Sequence, residues 1–149
     1  HSVIVASILP PELKLAGLLH DAAEAYLGDI VQPLKELLPD FGEIESRFAD
    51  VIGQRFKVDL QHNDVVKKAD LIALATERRD LMPMEIVEWS SLNGINPLWK
   101  TIRPQNPDKA KAEFLALYFK LTEIEQSKNA SFFDKNGFVP LGLRKLISI

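Results

Sequence analysis

Leu18-Leu19-His20-Asp21-Ala22-Ala23-Glu24-Ala25-Tyr26-Leu27-Gly28-Asp29 is the stretch on which the reading of this chain turns. It sets three ionisable side chains, His20, Asp21 and Glu24, into a run that is otherwise strongly apolar. Leu13, Ala16, Gly17, Leu19, Ala23 and Tyr26 recur at helical spacing, which predicts one helix from about Pro11 to Leu27. Pro11 suits its first turn and Gly28 closes it as a C-cap. His20 and Glu24 stand four positions apart, so on such a helix they share a face. Ionisable groups on a core helix are costly to bury unless they are paired or hold a metal. A lone His-Asp pair is most often structural. A His-Asp pair with Glu one turn on and Gly-Asp behind it is a more specific pattern.

Working outward, the same rules predict helices on both sides. Residues 1–9 read as the end of a helix with Val3, Ile4, Ala6 and Ile8 apolar, stopped by Pro10 and Pro11. The pattern opens in mid-helix at His1, so further residues are expected upstream. Asp29 is a candidate N-cap for a short helix over 30–38. A turn at Pro39, Asp40 and Gly42 precedes a helix over 43–56 whose inner face is marked by Ile44, Phe48, Val51 and Ile52. Asn63 or Asp64 caps a helix over 65–81, with Val66, Ala69, Ile72, Ala73 and Thr76 on one face. Met82-Pro83-Met84 breaks it, and a short helix over 85–92 follows. Residues 93–106 read as a long loop. Pro107 and Asp108 open a last helix over 109–126, with Ala110, Phe114, Leu117 and Leu121 inward. The expectation is an all-α, single-domain bundle of about six helices, with its core in 1–127 and a tail over 128–149 packing on it or at an interface.

Composition narrows the function. The chain has 149 residues, enough for one domain with a core of its own, and no cysteine, which removes disulfides and thiol chemistry. A net charge of −3 with mixed signs argues against a binder of polymeric nucleic acid but not against a small phosphorylated ligand. No apolar run is long enough to cross a membrane and no signal peptide is visible, so a cytoplasmic protein is expected.

The pattern Leu19-His20-Asp21-x-x-Glu24-x-x-x-Gly28-Asp29 resembles the signature of the HD-domain metal-dependent phosphohydrolases. Those proteins carry a His on one helix, a His-Asp pair on the next and an Asp on a later one. Together the four bind a divalent metal. By that resemblance the ligands here are His1, His20, Asp21 and Asp70, the last within Val66-Lys67-Lys68-Ala69-Asp70-Leu71-Ile72. The context over 18–35 and 67–80 resembles the 5′-deoxynucleotidase-like branch, including small phage-associated members, and the likeness covers about the first 85 residues. Ala25 follows Glu24 where guanosine tetraphosphate hydrolases of this group have Asp, and the Gly-Tyr-Pro element of cyclic dinucleotide phosphodiesterases is absent.

The chemistry of that set is consistent with the resemblance. Two imidazoles and two carboxylates suit one divalent Mn, Co, Fe, Ni or Zn ion, whereas Mg usually favours an all-oxygen site. The resemblance assigns Glu24 to activating the attacking water and places Asp29 near the reacting phosphate. Lys67 and Lys68 are candidates for holding substrate phosphate. Glu77, seven residues after Asp70 and on the same face, is a further candidate at the substrate or behind a ligand. Arg78, Arg79 and Asp80 read as a solvated charged patch, His62 as a loop residue, and Trp89 and Trp99 as core aromatics or base-stacking groups. The expected reaction removes phosphate from (deoxy)nucleoside 5′-monophosphates. The alternatives are a nucleoside triphosphate hydrolase of the same superfamily, or a non-catalytic module that binds a nucleotide or protein. A homodimer is also expected from the resemblance.

Overall fold

The computed structural model describes residues 1–61, 63–83 and 89–122, and within these the chain is helical with no strand. The α-helices are α1 (Ser2–Ile8), α2 (Lys14–Leu19), α3 (Glu24–Leu27), α4 (Gln32–Lys35), α5 (Phe41–Phe56), α6 (Asp64–Leu81) and α7 (Pro107–Leu121). Short 3₁₀ turns lie at Pro11–Leu13 and Ser90–Leu92. No helix among the described residues is long and apolar enough to cross a membrane.

The all-α expectation holds. Several boundaries do not, and each departure has a local cause. The helix predicted over 11–27 is a 3₁₀ turn, then α2, then a tight turn over 20–23, then α3. His20 and Ala23 keep right-handed helical dihedrals. However, Ala22 N–H bonds Leu19 O at 2.9 Å and Glu24 N–H bonds Asp21 O at 2.9 Å, so the ladder tightens to i→i+3 there. Gly28 closes α3 at φ +82°, a conformation glycine adopts without strain. The helix predicted over 30–38 is only α4, because Leu37 and Leu38 turn back onto Leu34 and Lys35 by i→i+3 bonds and Pro39 has no N–H to continue. Asp29 does not cap it. The first intrahelical acceptor is Val31 O, bonded by Leu34 and Lys35 N–H, two residues beyond Asp29.

Asn63 caps α6, its Oδ1 accepting from Val65 and Val66 N–H, and Asn106 caps α7 by accepting from Asp108 N–H. α5 ends with Lys57 left-handed (φ 55°), with Lys57 N–H bonding Gln54 O and Val58 N–H bonding Gly53 O. That closure brings Val58 O within 2.6 Å of where a Cβ on Gly53 would sit, so the position requires glycine.

The core forms where α1 packs on α2 and α6, with α7 against α2 and α1. Val5, Leu9, Ala16, Val66, Ala69 and Ala73 form its centre. Ala69 and Ala73 are small, which lets α1 approach α6 closely. Gly17 does the same for α2, since a Cβ there would collide with Leu9 Cδ1. A second cluster joins Ala6, Leu18 and Tyr118, and a third joins Leu19, Ala22 and Ile52. The inner faces predicted for α5 and α7 need correction. Of the α5 stripe only Ile52 is buried. Ile44, Phe48 and Val51, spaced i, i+4, i+7, are exposed. On α7 Tyr118 is buried and Ala110 exposed. Periodicity reveals an apolar stripe but not which element covers it.

The loop over 93–106 is pinned to α6. Thr76, fully buried, donates to Ile72 O at 2.7 Å and accepts from Leu98 N–H at 2.9 Å. Arg79 donates to Asp80 and to the carbonyls of Leu98 and Lys100, and Asp80 accepts from Ile102 N–H. Arg78 lies 4.8 Å over the Trp89 ring. Residues 78–80 are therefore a clasp rather than a solvated patch. Trp99 is exposed. His62, residues 85–88 of the helix expected over 85–92, and the tail over 128–149 lie outside the described residues.

Candidate metal centre

The junction of α1, α2 and α6 brings His1, His20 and Asp70 together from distant parts of the chain. One ligand atom from each lies within 4.8 Å of the other two. His1 is held by its own helix, its carbonyl accepting from Ile4 and Val5 N–H. Its ring stands 5.5 Å from that of His20. His1 Nε2 lies 2.8 Å from Asp70 Oδ1, and His1 Nδ1 lies 2.7 Å from Glu77 Oε2. Both partners are carboxylates, so both ring nitrogens donate and the ring is an imidazolium. Burial lowers its pKa, but hydrogen bonds to Asp70 and Glu77 outweigh that and hold it at about 10.

His20 is more informative. Its Nδ1–H donates to Gly17 O at 2.9 Å, one turn back in α2. A carbonyl can only accept, so Nδ1 carries the proton and Nε2 is the nitrogen left to coordinate. That Nε2 is buried and makes no hydrogen bond. Yet Asp21 Oδ2 lies 3.0 Å from it and Asp70 Oδ1 lies 3.7 Å from it. A lone pair facing two carboxylates calls for a cation between them. In the metal-free chain a proton serves. Burial lowers the His20 pKa, but Asp21 and Asp70 raise it more, to about 9. A metal ion would satisfy all of these groups at once. Asp70 itself is pushed up by burial but held well below the usual carboxylate range by the two imidazoles.

Asp21 is not one of the three gathered atoms, but it touches His20 from the side that faces the pocket. That pocket, of about 360 Å³, is lined by His20, Asp21, Glu24 and Asp70, together with Lys35 from α4 and Lys67 from α6. Glu24 is half-buried. Burial first, then the charges of Asp21 and Asp29, push its carboxyl up to about 7, against the opposing pull of Lys35 and His20. A carboxyl poised there exchanges protons near neutral pH.

The remaining sequence candidates divide. Lys67 lines the pocket. Lys68, next on the helix and so about 100° further round, does not. Asp29 is exposed, lies outside the lining and acts on Glu24 only through its charge. Glu77 bonds His1 Nδ1 and lies outside the lining of the pocket. Neither Trp89 nor Trp99 reaches the pocket. Lys35 escaped sequence reasoning altogether. Its charge was the only signal, and the fold-back of α4 is what brings it to the wall.

The chain is similar to the "Uncharacterized protein YfdR" of Escherichia coli (strain K12), at 38% identity over 128 residues that cover 85% of this chain and 71% of that protein. No family model matches it and no solved structure matches it.

Proposed function

The chain belongs to the YfdR family, and we propose that it is a metal-dependent phosphohydrolase of the HD-domain kind, acting on (deoxy)nucleoside 5′-monophosphates. The observation that carries this reading is His20. Its tautomer is set by Gly17 O, and its buried Nε2 has no hydrogen bond and faces Asp21 and Asp70. His1, His20, Asp21 and Asp70 would hold one divalent transition ion, with Gly17 O and Glu77 orienting the two imidazoles from behind. Such an ion polarises a phosphoryl oxygen and makes a bound water a better nucleophile near neutral pH.

The chain's own residues account for the rest. Glu24 lines the same pocket and takes the proton of the attacking water as the new P–O bond forms, and as the ester P–O bond breaks the leaving 5′-oxygen takes up a proton and departs as the nucleoside hydroxyl. Its raised pKa is set by burial together with Asp21 and Asp29, so Asp29 tunes Glu24 without touching the substrate. The lysines of the pocket offset the charge of the phosphate.

Elemental analysis of wild type beside Asp21→Ala tests the centre. About one equivalent of a transition metal in wild type, lost in the variant, supports it. A screen of nucleotides for phosphate release with that metal then tests the reaction. Glu24→Gln should keep its metal and lose turnover by about 10²–10⁴-fold. No metal in wild type, even after reconstitution with Mn or Co, overturns the reading.

A further inference from the structure

Resting on that reading, we infer that Asp59 and Asn63, in the turn that enters α6, form the subsite that holds the base of the substrate, and that the side-chain amide of Asn63 selects a nucleotide over a simpler phosphate ester. Asp59, Leu60, Gln61 and Asn63 line the pocket. Its volume of about 360 Å³ falls within the range of about 300–1,000 Å³ typical of small-molecule sites, so it has room for much more than a phosphoryl group.

The polar atoms of Asn63, like those of His20, are assigned by their neighbours. Its Oδ1 lies 2.9 Å from Val65 N and 3.3 Å from Val66 N. Both of those are donors, so the amide oxygen serves the helix and Nδ2 is the free end of the side chain. Nδ2 carries two N–H groups without a partner among the described residues. Asp59 is anchored in the same way. Its Oδ1 accepts from Gln61 N–H at 2.9 Å, which leaves Oδ2 as an acceptor. Gln61 is tied down in turn, with Nε2 donating to Asp50 Oδ1. Side chains fixed through one atom and open at the other lose little freedom when a ligand arrives.

Their position along α6 matches the shape of a nucleotide. Asn63 stands seven residues before Asp70, and both line the pocket. Seven residues are close to two helical turns, so the two share a face about 10 Å apart along the axis. A substrate with its phosphoryl group at the metal centre spans that interval with its sugar and brings its base toward Asn63. Ala49, Leu60 and Val66 supply apolar surface beside the polar atoms. A nucleobase is a flat ring with apolar faces and an edge on which an acceptor stands beside an N–H. Asn63 Nδ2 suits that acceptor and Asp59 Oδ2 suits that N–H. All the common bases carry both, so the subsite favours the presence of a base without ranking the bases. A sugar phosphate offers no such edge.

The test compares 2′-deoxyadenosine 5′-monophosphate with 2-deoxyribose 5-phosphate by calorimetry on metal-reconstituted full-length protein, in a Glu24→Gln background that stops turnover. Asn63→Asp keeps an equally good helix cap but has no N–H to offer, and Asn63→Ser keeps the cap on a shorter, neutral side chain. Each should weaken the nucleotide about tenfold, the loss of one hydrogen bond, with metal content retained. The sugar phosphate controls for the added charge of Asn63→Asp and should not respond to Asn63→Ser. Undiminished nucleotide affinity in both variants, or an equal loss for the two ligands, overturns the subsite. Equal affinity of the Asn63 parent for the two ligands, or no nucleotide binding at all, overturns it as well. Base-dependent binding through Asn63 by a protein that, with Glu24 in place, releases no phosphate supports the subsite and sinks only the hydrolase reading. Phosphate release from both esters at equal kcat/KM leaves the hydrolase standing and overturns the subsite.

Discussion

Two groups of residues on α6 gather charge, on opposite terms. Near its C-terminus, Arg79 and Asp80 are satisfied by each other and by the loop over 93–106: the guanidinium bonds two carbonyls as well as Asp80, and Asp80 takes the N–H of Ile102. Further back, Asp70 and Glu77 meet two imidazoles, and His20 Nε2 is left facing carboxylates without a hydrogen bond. One cluster pairs its charges with fixed partners, and in the other a proton on His20 Nε2 stands between two carboxylates. Charge density alone therefore does not separate a clasp from a site. The accounting of donors and acceptors does.

The comparison can be broken most directly by deleting one side chain in each region. His20→Ala should abolish metal binding and all phosphate release, whereas Arg79→Ala should bind a full complement of metal and lose thermal stability. Equal metal content in the two variants would erase the distinction. A smaller effect is expected behind the site. Glu77→Gln removes the charge that orients His1 and should weaken metal affinity about 10–100-fold, read by competition with a chelator. An unchanged affinity would mean that Glu77 supports only the metal-free form.

At the clasp, Thr76→Val keeps the volume but removes the acceptor of Leu98 N–H, so about 1–3 kcal/mol of stability should be lost in denaturant melts with metal content intact. A silent substitution would mean that the loop is held by Arg79 and Asp80 alone.

With pH, the two regions should respond in opposite directions. His1 and His20 are raised from 6.5 to about 10 and about 9 in the folded, metal-free chain. Their contribution is therefore complete below about pH 6.5 and is lost as pH rises through the folded values. Asp80 is lowered from 3.8 to about 2, first by Arg79 and then by the N–H of Ile102, so its contribution is present above about pH 3.8 and lost as pH falls toward 2. Melts of chelator-treated protein should thus show a lower Tm at pH 9.5 than at pH 6.5. Metal loading should abolish that alkaline loss and leave the acid limb unchanged. An alkaline loss that persists with metal bound would place its origin elsewhere.

Much of this was legible in residue order. The cap at Asn63, the stop at Pro10-Pro11 and the turn at Gly28 follow from chemistry within a few residues. His20, Asp21 and Glu24 stood out because ionisable groups on an apolar helix need a reason. The tight turn over 20–23 was not legible, since its residues are good helix formers and only the switch to i→i+3 bonding marks it. Arg79 and Asp80 looked like surface charge because their partners lie 19 to 22 positions away. Lys67 and Lys68 were equivalent on paper, and the rotation of α6 against its neighbours separates them.

Local rules work because periodicity, capping and chain-breaking act over a turn or two, and they carry this sequence as far as an all-helical chain with a His-Asp pair set in its core. Beyond that reach lie the approach of α1 to α2 through Gly17 and to α6 through Ala69 and Ala73, the contact of His1 with a carboxylate 69 positions on, and the arrival of Lys35 at the pocket wall. Those depend on which surfaces pack together, and packing is decided by shape and burial between segments that no short-range rule relates.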